Sequence, residues 1–446
     1  MASAAEQLAA NMNFSSFAKA KELQQRILFT VGILIVYRIG TFVPIPGIDP
    51  VQYARVFEQF QGGILNMFNT LGGGAVERMA IFALNVMPYI SASIIMQLMS
   101  ATIPSLEKLK KEGGEQGRQQ INQYTRYLTV LLAAGQAFAI AIGMNTPNAD
   151  GLTMAINPGP FFIASTVITL VGGTMLLLWL GEQITSRGVG NGVSLIIFAG
   201  IISAVPGLLG GALSQAASGA LAAPVFFGGI LLVLAGLVLV VFIERSQRRL
   251  LVQYPKRQQG NRMVGGDTSF LPLKLNTAGV IPPIFASSLL FLPATAASFQ
   301  QQSGPEWLQT VVAYLGQGSP LFLTMYAAMI VFFCFFYTSV VFNPEDTADN
   351  LRKYGGFLPG IRPGKRTAEY IDFVLSRLTL IGAIYLVVIC MVPMLMGGGA
   401  AIALGGTSIL IVVSVTMDTI SQIQSHLLAH QYEGLIKKSK LRGRKR

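Results

Sequence analysis

Ten apolar stretches, centred near Leu34, Tyr89, Ala134, Gly172, Phe198, Val233, Phe285, Phe332, Leu386 and Val412, recur along the chain. Each is long enough, or nearly so, to cross a hydrocarbon core of about 30 Å, which takes roughly 20 helical residues. Lipid offers an open backbone no hydrogen-bond partner, so apolar stretches of this length fold as helices. Only 12% of the residues are charged, about half the share in a soluble domain. The chain therefore reads as an all-α polytopic membrane protein. No cleavable leader is expected, because residues 2–26 are polar and the first apolar run passes Tyr37 without an Ala-x-Ala-like site.

The basic residues alternate from loop to loop. One set of segments holds three from Lys19 to Arg26, five from Lys108 to Arg126, Arg187, seven from Arg245 to Lys274, six from Arg352 to Arg377 and seven from Lys437 to Arg446. These are 29 of the 32 Lys and Arg residues; the opposite loops hold Arg55 and Arg78, and Arg38 sits in the first span. The positive-inside rule then predicts both termini on the cytoplasmic side and an even number of spans, which ten satisfies. The net charge of +12 lies almost wholly on that face. Two accounts of it stand together: basic loops orient spans and meet anionic lipids, and the long loops 244–275 and 343–376 exceed what a turn needs and could dock an acidic partner or an RNA backbone. Cys334 and Cys390 fall within apolar spans and read as packing residues with no disulfide.

The stretch from Gly62 to Pro104 is built differently from the rest. A glycine-rich piece, from Gly62 through Phe68 to Gly72, Gly73 and Gly74, is too short to cross a bilayer. A span follows, predicted to start at Ile81, but Asn85, Pro88, Ser91, Ser93 and Gln97 interrupt it. Such residues must face protein or water, since an unsatisfied polar group in lipid costs several kcal/mol. A wet-faced span beside a short helix points to a pore and something that can sit in it. Before it, two prolines in the FVPIPGID run from Phe42 force an extended exit from the first span. After it, the loop from Lys108 is rich in Gly and charge and is expected to be mobile.

Gly188, Gly190 and Gly192 superficially match a phosphate-binding turn, but no strand precedes them and no Gly-Lys-Ser/Thr follows. A tight cytoplasmic turn into the fifth span, with Asn191 near its mouth, is the expectation. Pro206, Gly207 and the small-residue run to Ala223 mark a midpoint, with five spans on either side; an odd number per half makes the repeats inverted. The organisation is then a cytoplasmic segment 1–26, a first half 27–209, a linker 210–223, a second half 224–424 and a basic tail 425–446. His426 and His430 stand four apart but lack further ligands nearby, so they read as surface residues of a helix rather than a metal site.

What the spans lack narrows the function. Arg38, Glu182 and Asp418 all lie toward span ends, whereas an ion-coupled transporter needs ionisable groups within its spans. The chain carries no Walker motif, no His-Glu-x-x-His and no nucleophile with a base, so no enzymatic activity, cofactor or metal is expected. A protein-lined route without charge remains. A secondary transporter of a small solute is the alternative, and a purely structural scaffold is a third reading that leaves the polar span faces with nothing to line.

Several long blocks are specific enough to place the chain: LIVYRIGTFVPIPGID, ALNVMPYISASIIMQL, WLGEQITSRGVGNGVSLIIFAGI, LPLKLNTAGVIPPIFASS, FFCFFYTSVVFNPEDTADNLRKYGGFLPGIRPG and GGTSILIVV. Together, over about residues 20–440, they resemble the bacterial SecY family, channel subunits of the Sec protein translocon. The resemblance implies ten transmembrane helices in two inverted halves around an hourglass pore with a lateral gate. It implies a passive protein-conducting channel in the bacterial cytoplasmic membrane, translocating unfolded secretory chains and releasing transmembrane segments into lipid. It makes residues 62–74 the plug, with Ile64, Leu65, Met67, Phe68, Leu71 and Gly72, and assigns a pore ring of Val86, Ile90, Val193, Ile197, Ile284 and Ile411. Val86 and Ile90, and Val193 and Ile197, are each four apart on one helical face. Such an aliphatic ring can dewet against ions yet yield to a passing chain. Ser91, Gln97, Asn276 and Leu292 are the implied lateral-gate residues, the gate lying between the second and third spans and the seventh and eighth. Arg257, Arg262 and Arg362 are the implied contacts to the ribosome and its RNA or to the SecA motor. The remaining implied partners are the small membrane subunits SecE and SecG, signal sequences and nascent chains, with anionic lipids around them.

Overall fold

The computed structural model describes residues 21–59, 69–145, 153–219, 223–254, 257–259, 262–264, 268–299, 319–395 and 406–443. The candidate plug residues Ile64, Leu65, Met67 and Phe68, most of the loop 298–318 and the loop from Gly397 lie outside the described residues, as do positions 1–20. The helices in chain order are α1 (Lys21–Gly40), α2 (Pro50–Gln59), α3 (Met87–Thr102), α4 (Pro104–Glu112), α5 (Gly114–Asn145), α6 (Pro160–Arg187), α7 (Gly192–Ala217) and α8 (Ala223–Arg245). Strands β1 (Gln247–Gln253), β2 (Arg257–Gln259), β3 (Arg262–Val264) and β4 (Thr268–Lys274) follow. The chain continues through α9 (Ile281–Phe299), α10 (Pro320–Val341), α11 (Pro344–Lys353), α12 (Lys365–Leu395) and α13 (Gly406–Gly443).

Among the described residues, eight helices are long and apolar enough to cross a membrane, and the α3–α4 pair, bent by 102°, makes a ninth if it is one span. The apolar part of α9, Ile281–Leu290, is shorter. The exposed faces of these helices are apolar: Phe161, Ile168, Leu231, Val238 and Phe242 all stand outward. In water such surface would aggregate; in lipid it is the expected exterior.

Several helix starts are written locally. Pro160, Pro320 and Pro344 occupy first-turn positions, where the missing N–H costs nothing. Ser319 caps α10 by accepting from Phe322 N at 3.2 Å, and Asn343 caps α11 by accepting from Glu345 N at 3.0 Å. In α11, Glu345 and Asp346 in the first turn and Arg352 and Lys353 in the last complement the helix dipole. Pro104 ends α3 and opens α4, which fixes the sharp bend. The segment from Lys108, expected as a mobile loop, is instead helical: α4 runs to Glu112, and α5 starts immediately after Gly113, with Gly114 at φ +52°. Two consecutive glycines supply the break, and Gly117 then passes so near Leu109 O that a Cβ would lie 2.1 Å from it.

The second span also departs from expectation. Helix α3 starts at Met87, not Ile81, and residues 81–86 are turns. Asn85 is the reason: it takes φ +49°, a conformation Asn tolerates and a helix does not. Its side chain accepts from Val86 N at 2.8 Å, while Ile81 N donates to Val43 O at 2.9 Å in the extended exit of α1. Pro88 then falls in the first turn of α3.

The chain divides into two compact units, one of residues 1–92, 123–210 and 411–446, the other of residues 93–122 and 211–410. In the first, α1 packs on α6, and Leu23, Val189 and Leu427 form a small core with Ile27 and Ile423. In the second, α9 packs on α10, which packs on α12, and α11 also lies against α12. There β1 and β4 pair antiparallel from Gln247 opposite Lys274 to Gln253 opposite Thr268, and β2 pairs with β3. Cys334 and Cys390 are buried free thiols of this unit.

Candidate functional site

In the first unit, residues 69–86, which include the last residues of the candidate plug, form a mostly buried, mostly non-helical knot. Residues 69–71 close a helical turn, and the chain leaves it through Gly73 and Gly74, both at positive φ. The last carbonyls of a helix have no partner within it. Here three consecutive carbonyls are each met by a side chain from elsewhere: Asn85 Nδ2 donates to Leu71 O at 3.1 Å, Tyr37 OH to Gly72 O at 3.2 Å and Arg38 Nη1 to Gly73 O at 2.9 Å. Arg38 and Arg78 both lie over the Phe42 ring, at 5.4 and 4.1 Å from its centroid. Asn69 Oδ1 accepts from Glu77 N at 2.9 Å, and Gly74 N donates to Asn69 O at the same length.

Absent side chains make the room. A Cβ on Gly200 of α7 would lie 2.3 Å from Leu71 O, and one on Gly173 of α6 2.0 Å from Ile81 O. Outside the spans, Tyr53 of α2 is buried against Phe57, and its phenol is pushed above its ordinary range by that burial and by the Glu77 carboxylate. Leu71 and Gly72, the two candidate plug residues within the described set, are thus fixed by this knot. Asn85 and Arg38 stood out in the sequence as polar groups in or near spans; Tyr37 gave no signal, because a tyrosine in an apolar run looks like packing.

The candidate ring residues Val86, Ile90, Val193, Ile197 and Ile411 belong to the first unit and Ile284 to the second. Val86, Ile90, Ile197 and Ile411 are buried, and Val193 and Ile284 are half-buried. Val86 ends the knot, and its carbonyl accepts from Ile90 N at 3.0 Å, so the pair sits on the first turn of α3. In the second unit Ile284 lies on α9, whose Phe285 meets Phe333 and Tyr337 of α10 edge-on at 5.8 and 6.4 Å.

Of the candidate gate residues, Ser91 is buried in α3, and Gln97 Nε2 lies 3.5 Å from Ser93 Oγ one turn earlier. Asn276 is occupied within its own unit, donating to Glu244 Oε1 at 2.7 Å and to Gly279 O at 3.1 Å. Leu292 lies on α9, beyond the side chains described.

The two long basic loops form one structure. Gln253 and Phe357 exchange backbone hydrogen bonds at 2.9 Å each way, joining β1 to the loop after α11. Leu250, Val252, Leu273, Leu358, Ile371, Leu375 and Leu378 share a core beneath them. Arg257 and Arg262 stand on the short β2–β3 ladder, opposite Val264 and Gln259. Arg362 is exposed between Gly360 and Gly364, both at positive φ, and its carbonyl accepts from Thr367 Oγ1 at 2.9 Å. The joined loops therefore leave Arg362 exposed beside them, a guanidinium of the kind suited to carboxylates or phosphates.

The SecY family model matches residues 80–420 of this chain. It belongs to the SecY family. The protein translocase subunit SecY of Rickettsia bellii is 53% identical over 434 residues, covering 97% of this chain and all of that protein. That of Escherichia coli K12 is 52% identical over 426 residues, covering 95% and 96%. Among solved structures, a protein-conducting channel matches with a TM-score of 0.63 at 18% identity, covering 90% of this chain and 92% of that one. Sec61 in a canine ribosome–channel complex from the endoplasmic reticulum matches with a TM-score of 0.59 at 17% identity, covering 90% and 92%. At such identities these likenesses carry the SecY fold alone; the curated relatives carry the family.

Proposed function

We propose that this chain is a passive protein-conducting channel, the translocase subunit through which unfolded secretory polypeptides cross the bacterial cytoplasmic membrane. The observation that carries the reading is the end-to-end match, at above 50% identity, to protein translocase subunits SecY. The bent α3–α4 pair and the short apolar α9 supply the ninth and tenth spans, in two inverted halves around an hourglass pore, with both termini cytoplasmic. Residues 62–74 are the plug, and the carbonyls of its last turn are held by Asn85, Tyr37 and Arg38.

Val86, Ile90, Val193, Ile197, Ile284 and Ile411 form the ring that seals around the moving chain. Ser91, Gln97, Asn276 and Leu292 border a lateral gate that releases transmembrane segments into lipid. SecE and SecG accompany the channel, and SecA or the ribosome drives it through a platform carrying Arg257, Arg262 and Arg362. The joining of the two basic loops through Gln253 and Phe357 supports that role, since recognition of an acidic surface gains from an ordered base beneath its arginines.

The test is a photocrosslinker at Ile284 presented with a stalled secretory chain in membranes. Capture that disappears when the signal sequence is destroyed is the expected result. No capture, with the protein inserted and its partners present, returns the chain to the small-solute transporter reading.

A further inference from the structure

In the Gly188–Gly192 turn, set aside above as a phosphate site, four backbone donors go to other protein groups. Gly188 N donates to Ile184 O at 2.7 Å, Val189 N to Thr30 Oγ1 at 3.1 Å, Gly190 N to Gln422 Oε1 at 2.9 Å and Gly192 N to Thr185 Oγ1 at 2.9 Å. Thr30 Oγ1 in turn donates to Arg26 O at 2.9 Å. One short turn thus ties together α6 (Ile184, Thr185), α1 (Thr30) and α13 (Gln422), with α7 starting from it. The turn has no slack. A Cβ on Gly188 would lie 2.4 Å from Thr30 Oγ1, one on Gly192 1.9 Å from Gly181 O, and Gly190, at φ +89°, has Leu195 and Thr419 against it. Val189 is buried with Leu23 and Leu427 in the core beneath.

Two helices leave this knot carrying residues of the pore ring. On α7, Val193 and Ile197 follow one and five residues after Gly192. On α13, Ile411 and Gln422 lie on nearly one face, because eleven residues make three turns with about 20° left over. Rotation of α13 about its axis is therefore read out at both positions together. The bond from Gly190 N to Gln422 fixes it at the cytoplasmic end, about 16 Å along the helix from Ile411.

We infer that the Gly188–Gly192 turn is a register clamp, in which Gln422 and Thr30 are positioning residues that fix the rotation of α13 against α7 and so aim Ile411, Val193 and Ile197 at the translocating chain. The inference rests on the pore-ring reading proposed above. Gln422 acts from α13 itself and Thr30 through Val189 in the turn that opens α7, so their loss changes which residues face the pore rather than whether the chain folds.

The experiment places a photocrosslinker in turn at Ile411, Val412 and Val413 of the full chain, in membranes with its translocase partners and a stalled secretory polypeptide. In the parent chain, capture at 411 with at least tenfold less at 412 and 413 is expected. Gln422→Leu, which removes the acceptor, brings capture at 412 or 413 within threefold of that at 411 and raises the ion conductance of the resting channel. Gln422→Glu, which keeps an acceptor oxygen in place, retains the parent pattern. Thr30→Val repeats the effect through Val189, and Thr30→Ser does not; this pair decides the matter if Gln422→Leu fails to accumulate. Parent-like capture and parent-like conductance in both Gln422→Leu and Thr30→Val overturn the clamp. Absence of capture at all three positions in the parent chain overturns the ring reading itself, and the clamp with it, before any variant is needed.

Discussion

The knot at residues 69–86 and the platform built on β1 and β4 both leave the helical pattern, and they differ in how far side chains are needed to satisfy their backbones. In the platform the chain pairs with itself: a seven-residue antiparallel ladder and the Gln253–Phe357 exchange take up donors and acceptors, so the side chains are free to form an apolar core below and an exposed basic surface above. In the knot the backbone pairs through tight turns and the isolated Pro44–Ala80 bridge, which leaves several carbonyls over. Side chains of Asn85, Tyr37 and Arg38 are committed one by one to single carbonyls, and glycines on α6 and α7 let the turns at Leu71 and Ile81 lie against helix backbone. A buried carbonyl left unpaired costs about 1–3 kcal/mol, whereas one at a wet surface turns to water at little cost. Irregular backbone among membrane helices is thus far more exacting about individual residues than irregular backbone at a wet surface.

The widest gap between the two regions should come from Gly200→Val, whose branched side chain must enter the space of the Leu71 carbonyl. A cost of about 3 kcal/mol is expected, the upper range for over-packing, seen as a lowered thermal aggregation midpoint and as ion leak in planar bilayers. A midpoint unchanged from the parent would mean that the knot is as forgiving as the platform. Asn85→Ala is expected to cost about 2 kcal/mol, from a stranded Leu71 carbonyl and from an alanine held at positive φ. Denaturation of the detergent-solubilised protein measures it, and Asn85→Gly, which relieves only the backbone part, separates the two contributions. At the other end, Arg362→Glu on the platform should leave stability within about 0.5 kcal/mol while reducing motor- or ribosome-driven secretion of a reporter. Normal secretion by that variant would remove Arg362 from the partner surface.

The sequence by itself determined that the chain is helical and membrane-embedded, with apolar runs at the ten centres read above, because lipid leaves the backbone no other way to pair along twenty apolar residues. Its blocks also placed it in its family, and the polar interruptions from Asn85 to Gln97 marked the unusual span. What the periodicity could not give was where that span begins. Ile81 to Val86 are apolar enough for a helix, and the positive φ of Asn85, with its bond to Leu71 and that of Ile81 to Val43, holds them out of one. Tyr37 was equally silent, its role depending on a carbonyl 35 residues away. The glycines of the SRGVGNG turn were visible as a motif, yet their purpose came from Thr30 and Gln422, far off in the chain. Hydropathy is a property of each residue and survives in the sequence; the pairing of one polar group with another exists only once distant segments are brought to about 3 Å, and that the tertiary structure alone decides.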